Sequence, residues 1–260
     1  MKTVLTIAGS DCSGGAGIQA DIKTITAHKM YAMSAVTALT AQNTTGVYGI
    51  FEPEASFLEK QLDCIFGDIF PDAVKIGMVS SVPIIEAIAK KLVQYGVKNI
   101  VIDPVMVSTS GHSLVRGDTA QALIERLLPL GSVVTPNIPE AEAICGFGIQ
   151  AESDMRRAAE KISADIGTGV LVKGGHLSGG ANDFLYHRGR GVWLKQERID
   201  NPNTHGTGCT LSSAIACNLA DGADTETAVR WAKEYITGAL AAGLNLGSGS
   251  GPLNHCFNIK

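Results

Sequence analysis

The sequence predicts one α/β domain, residues 1–260, with a mainly parallel central sheet and helices on both faces. Three observations carry this reading. Short apolar runs alternate with amphipathic stretches along the chain, the pattern of strands joined by crossover helices. A chain of 260 residues that is 45% apolar can bury one large core without a second domain. Its 30 glycines fall outside any low-complexity tract and read as tight turns and close backbone approaches. No internal repeat or linker appears.

Composition removes several function classes. The net charge of −4 and the lack of a basic run argue against a nucleic-acid partner. The six cysteines contain no C-x-x-C pair, which disfavours a zinc or redox motif and suits a reduced, cytoplasmic protein. Val4–Ala8 is too brief an apolar run for a signal or a membrane span, so no membrane partner is expected.

Val4–Ala8 reads as a buried strand, Gly9–Gly15 as a loop, and Ala16 to about His28 as a helix with Ile18, Ile22 and Ile25 on one face. Gly15-Ala-Gly17-Ile-Gln-Ala20 fits a dinucleotide fingerprint, but the acidic residue expected some way downstream is missing: Val36–Asn43 offers amides. A P-loop fails as well, because Gly17–Thr24 lacks the second glycine and lies inside the helix. Ala32–Leu39 is the second strand, followed by Gln42, whose amide can both donate and accept.

Helices over 54–66 and 82–95 flank a strand at Ala73–Ile76, which ends in Gly77-Met78. The strand Asn99–Ile102 delivers Asp103 to its carboxyl end, where open α/β sheets bind ligands. Asp103 is therefore a metal or phosphate-side candidate. Ser108–Ser113, with His112, suits a mobile flap. A helix over 119–128 and a strand at Val133-Val134 lead to Asn137 and Glu140, whose spacing is also that of a capping box. After a helix over 152–165, the strand Val170–Val172 brings Lys173 to the same sheet edge as a cation for phosphates. Phe184–Tyr186 and Val192–Leu194 read as an antiparallel hairpin through Arg188–Gly191. The tail from Gly243 is expected to be loosely packed.

The organising stretch is Asn201–Ser213. Gly206-Thr207-Gly208 precedes an apolar helical run from Cys209, so its backbone N–H groups should open an anion hole at a helix N-terminus. An ordinary glycine-rich cap before a core helix is the plain alternative. Cys209 in the first turn adds a thiol that the helix dipole would acidify. A helix over 225–240 follows.

The segment Asn203-Thr-His-Gly-Thr-Gly-Cys-Thr-Leu-Ser212 resembles the anion-hole signature of the hydroxymethylpyrimidine and phosphomethylpyrimidine kinases, the thiamin-synthesis branch of the ribokinase-like family. The resemblance covers nearly the whole chain and implies a ribokinase-like three-layer sandwich. It also implies ATP-dependent phosphorylation of 4-amino-5-hydroxymethyl-2-methylpyrimidine and then of its monophosphate. Gly206, Thr207, Gly208 and Cys209 would be catalytic. Gly9, Asp21, Gln42, Met78 and Val105 would meet the pyrimidine, with the Gln42 amide matching the adjacent donor and acceptor of an aminopyrimidine. Asn137, Lys173, Thr204 and Lys233 would serve ATP, and Asp103 and Glu140 would hold Mg2+. The family implies a homodimer. A pyridoxal kinase of the same fold and a non-catalytic nucleotide-binding module are the competing readings.

Overall fold

The computed structural model describes residues 1–106, 117–175 and 180–259. The Ser108–Ser113 segment, with His112, lies outside the described residues.

A nine-stranded sheet forms the middle layer. Its strands are β1 (Thr3–Asp11), β2 (Tyr31–Asn43), β3 (Gly46–Phe51), β4 (Ala73–Ile76), β5 (Ile100–Ile102), β6 (Val133–Val134), β7 (Gly169–Val172), β8 (Asp183–His187) and β9 (Arg190–Leu194). They lie in the order β3-β2-β1-β4-β5-β6-β7-β8-β9. The six strands from β2 to β7 run parallel, while β3, β8 and β9 add antiparallel margins. The helices between parallel strands are α1 (Gly17–Ala27), α2 (Ala55–Asp68), α3 (Val82–Gln94), α4 (Gly117–Ala122), α5 (Ile138–Cys145) and α6 (Glu152–Ile166), and the chain continues into α7 (Thr207–Ala220) and α8 (Thr225–Ala241).

Strand alternation divides the core. In β1, Leu5 and Ile7 face a cluster with α2, α3, α5 and α6, while Val4 faces one with α1, α7 and α8. The apolar spacing of α3 shows why it docks: Ile84, Ile85, Ile88 and Leu92 are all buried on one side. Gly146 and Gly167 stop α5 and α6 in left-handed conformations. In the β8–β9 hairpin, Arg188 and Gly189 both have positive φ, as a two-residue turn matched to strand twist requires.

Three elements differ from expectation. β2 continues to Asn43 and turns back through β3, which places Gln42 inside a hairpin. That strand escaped notice because Gly46–Phe51 has no alternating buried face: Tyr48, Ile50 and Phe51 are all exposed. α7 begins at Thr207, one half-turn earlier than the apolar run suggests. The tail is anchored rather than loose: Leu253 and His255 are buried, Tyr235 donates to the His255 carbonyl at 2.6 Å, and Thr210 Oγ1 meets His255 Nε2 at 3.0 Å.

Candidate active site

A cavity of about 630 Å³ runs along the carboxyl ends of the parallel strands and across the start of α7. It is lined by Gly9, Gln42, Met78, Val105, Asp103, Asn137, Glu140, Lys173, Lys233 and Thr204, and by Gly206 through Cys209. Residues as far apart in the chain as Gly9 and Lys233 therefore share one volume.

At its centre lies the α7 N-terminus. Gly206 is the N-cap in the left-handed region, φ 83°, and a Cβ there would collide with the Gly15 carbonyl. Only glycine satisfies both demands. Thr207 N–H donates to Thr204 O and Thr210 N–H to Gly206 O, which leaves the Gly208 and Cys209 amides as the helix's outward donors. A Cβ on Gly208 would stand 3.2 Å from Asp103 Oδ2 and 3.4 Å from Lys173 Nζ, so the helix backbone presses against that ion pair.

Cys209 is half-buried beside this turn. Burial pushes its thiol up to about 11, aided by Asp21 and Asp103, although Lys75 and the Gly17 amide oppose the shift. The expected acidification is thus reversed. A helix dipole acts with roughly half a charge, whereas desolvation acts on the whole thiolate.

On the charged side, Lys173 Nζ donates to Asp103 Oδ1 at 2.7 Å, and Thr135 Oγ1 donates to the same oxygen at 2.9 Å. Burial alone would lower the Lys173 ammonium; Asp103 and Glu140 outweigh it and hold the group above its ordinary value. Asn137 and Glu140 form the capping box of α5: Glu140 N–H donates to Asn137 Oδ1 at 2.9 Å, and Asn137 N–H to Glu140 Oε2 at 2.8 Å. Both residues also line the cavity, so the cap holds the Glu140 carboxylate at its wall. Burial and the neighbouring Asp103 raise Glu140 to about 7 against the pull of Lys173. Lys233 donates to Asp183 and to the Ala181 carbonyl. Among the described residues, no three His, Cys, Asp or Glu side chains cluster as a metal cage.

The resemblance implies a place for Asp21 beside the pyrimidine, yet Asp21 is fully buried and absent from the cavity wall. Lys75 Nζ reaches its two oxygens at 2.9 and 2.8 Å, Ser213 Oγ donates at 2.7 Å and Thr6 Oγ1 at 2.5 Å. Four hydrogen bonds from three donor groups saturate the carboxylate beneath α7, so Asp21 ties α1 and α7 to the sheet.

Two further residues that spacing and motifs do not single out, Asp11 and His205, line the cavity. His205 and Asp11 are both buried, with His205 Nε2 2.8 Å from Asp11 Oδ2 and 3.3 Å from the Gln42 amide. Asp11 also accepts from Ser13, Gly15 and Ala16; burial opposes its ionisation, but these donors and His205 hold its carboxyl well below the usual range. The only sequence signal was a histidine within the Asn203–Ser212 segment, and its partner lies 194 positions away.

The chain is similar over nearly its whole length to known proteins of one family. The family model described as phosphomethylpyrimidine kinase matches residues 11–254. The hydroxymethylpyrimidine/phosphomethylpyrimidine kinase of Rhizobium meliloti is 49% identical, covering 96% of each chain. The crystal structure of phosphomethylpyrimidine kinase from Clostridium difficile superimposes with a TM-score of 0.83 at 47% identity, over 91% of this chain and 98% of the other. Pyridoxal kinase from Staphylococcus aureus, in complex with AMP-PCP and pyridoxal, gives a TM-score of 0.91 at 34% identity over 100% and 96% of the two chains. On the match over residues 11–254 and these identities, the chain belongs to the phosphomethylpyrimidine kinase family.

Proposed function

We propose that this chain transfers the γ-phosphoryl group of ATP to the hydroxymethyl oxygen of 4-amino-5-hydroxymethyl-2-methylpyrimidine, and then a second phosphoryl group to the monophosphate. The observation that carries this reading is the continuity of one cavity from Gln42, past the α7 N-terminus, to Lys173 and Lys233. Phosphoryl transfer asks mainly for alignment and charge neutralisation. The Gly208 and Cys209 amides are placed to meet charge developing on the transferred group. Lys173, held by Asp103, supplies a fixed cation, and Asn137, Thr204 and Lys233 frame the nucleotide end. Cys209, kept as a thiol by burial, orients the substrate hydroxyl.

Asp103 and Glu140 would hold a divalent cation, assisted by water and phosphate oxygens. The fit rests on charge: Glu140 is raised towards neutrality beside Asp103, and a cation there would favour both carboxylates. When bound, it would neutralise negative charge on the phosphate oxygens.

A coupled ADP-release assay with the hydroxymethylpyrimidine, its monophosphate and pyridoxal tests the reading. Turnover with pyridoxal alone would replace it by the vitamin B6 alternative, which the likeness to the Staphylococcus aureus enzyme favours. Binding of ATP without turnover of any of the three would leave a nucleotide-binding module.

The exposed apolar side chains of the β3 edge, Tyr48, Ile50 and Phe51, support a homodimer. Sedimentation of a Phe51→Asp variant checks this: an unchanged dimer places the interface elsewhere. The six free cysteines support a reducing, cytoplasmic setting.

A further inference from the structure

The wall around Gln42 contains more hydrogen-bond information than one amide needs for simple contact. The Gln42 backbone is clasped by Cys12: its N–H donates to Cys12 Sγ at 3.3 Å, and Cys12 Sγ donates to its carbonyl at 3.1 Å. Of the two terminal atoms of its side-chain amide, one stands 3.3 Å from His205 Nε2 and the other 3.1 Å from Thr40 Oγ1. A half-turn of the amide exchanges nitrogen and oxygen without moving either position, so the partners decide the orientation.

Both partners ask for the same one. His205 Nε2 lies 2.8 Å from an Asp11 carboxylate oxygen that can only accept, so Nε2 carries a proton whether the imidazole is neutral or charged. Its neighbour on Gln42 is therefore the carbonyl, which shares that proton with Asp11, rather than the NH2 group, whose hydrogens would oppose it. The single Thr40 hydroxyl proton goes to the Ser10 carbonyl at 3.0 Å; its oxygen then accepts, and its neighbour on Gln42 must be the NH2 group. With Nε2 facing His205 instead, two donors would oppose each other and one Thr40 proton would serve two acceptors. The imidazole cannot swing away, because its edge packs on Gly15, where even a Cβ would collide.

We propose that Asp11, His205 and Thr40 are positioning residues that lock the Gln42 amide in one orientation and thereby set ring specificity. Locked in this way, Gln42 keeps one carbonyl lone pair and one N–H for a ligand, in a fixed order. A ring edge carrying an amino donor beside a ring-nitrogen acceptor pairs with both. A ring edge with the order reversed, a carbonyl beside a ring N–H, meets donor against donor and acceptor against acceptor. The proposal rests on the pyrimidine reading of the cavity.

The test measures dissociation constants by calorimetry, independently of turnover, for the aminopyrimidine and for its oxo counterpart with the amino group replaced by a carbonyl. It uses the parent, His205→Phe and Thr40→Val, each checked for folding by circular dichroism. In the parent the aminopyrimidine is preferred. Freeing the amide lets it turn, so each variant is expected to narrow the preference by about 10- to 100-fold, the size of one mispaired buried group. A packing defect without loss of the lock weakens both ligands together and leaves the ratio as in the parent, which overturns the proposal. A Gln42→Leu arm separates the two levels: if it leaves the parent's preference intact, Gln42 does not read the ring and the lock fails with it. If the preference is lost in Gln42→Leu and in His205→Phe while the parent shows no kinase turnover, the lock stands and the proposed activity falls.

Discussion

Lys173 Nζ lies 2.7 Å from Asp103 Oδ1, joining the carboxyl ends of β7 and β5 beneath the first turn of α7. The pair is mostly sheltered, with side-chain exposures of 16% and 3%. Removing Lys173 therefore does two things at once: it takes a cation from the cavity and strands a buried carboxylate. Lys173→Met is expected to lower stability by about 3–5 kcal/mol, as broken buried pairs do, and to lower kcat in the folded fraction. Urea unfolding and single-turnover rates separate the two effects; unchanged stability would mean that Asp103 finds another partner.

The proposed divalent cation belongs to the same corner of the site. Asp103→Ala and Glu140→Ala are each expected to raise the magnesium concentration needed for half-maximal turnover. The same magnesium curve in both variants as in the parent would remove these residues from the metal site.

Glu140 also predicts a pH effect in the absence of metal. Its folded value is raised to about 7 from 4.5, so between those values the folded state holds more protons than the unfolded one. Its contribution to stability is complete below about 4.5 and is lost as the pH rises through about 7. Glu140→Gln should flatten the difference in unfolding free energy, from urea titrations, between pH 5 and pH 8 relative to the parent by an amount on the order of 1–3 kcal/mol. The slope should also shrink when magnesium is added to the parent. No difference between parent and variant would place Glu140 in an ordinary solvated setting.

For Cys209, a thiol pushed up to about 11 is a poor base at neutral pH. Cys209→Ala should keep single-turnover rates within about tenfold of the parent, well short of the 10²- to 10⁴-fold loss that removing a true general base brings. A loss in that larger range, with partial rescue by Cys209→Asp alone, would restore the base assignment.

Asp21 should behave as a structural residue. Asp21→Asn leaves the buried Lys75 ammonium without its counter-charge and is expected to cost about 3–5 kcal/mol in urea unfolding. The pyrimidine KM of the folded fraction should stay close to that of the parent. A selective rise in that KM at unchanged stability would return Asp21 to the ligand.

The sequence by itself determined the strand-helix alternation, the glycine-rich start of α7 and the family, because periodicity and contiguous motifs are local properties of the chain. Asp103, Lys173 and Asn137 could be placed at strand or helix ends for the same reason. Tertiary structure alone decided which of these groups touch. Asp21 and Gln42 are both polar residues near a glycine-rich stretch, and only packing shows that Lys75, Thr6 and Ser213 enclose the first while the second stays on the cavity wall. The Asp11–His205 contact joins residues 194 positions apart, beyond the reach of any spacing rule. The Cys209 thiol shifts opposite to the sequence expectation for a related reason. The helix start that would acidify it is written in neighbouring residues, whereas the burial that opposes it is created by α1, β4 and β5 closing around the site, and desolvation of a whole charge outweighs the partial charge of a helix end.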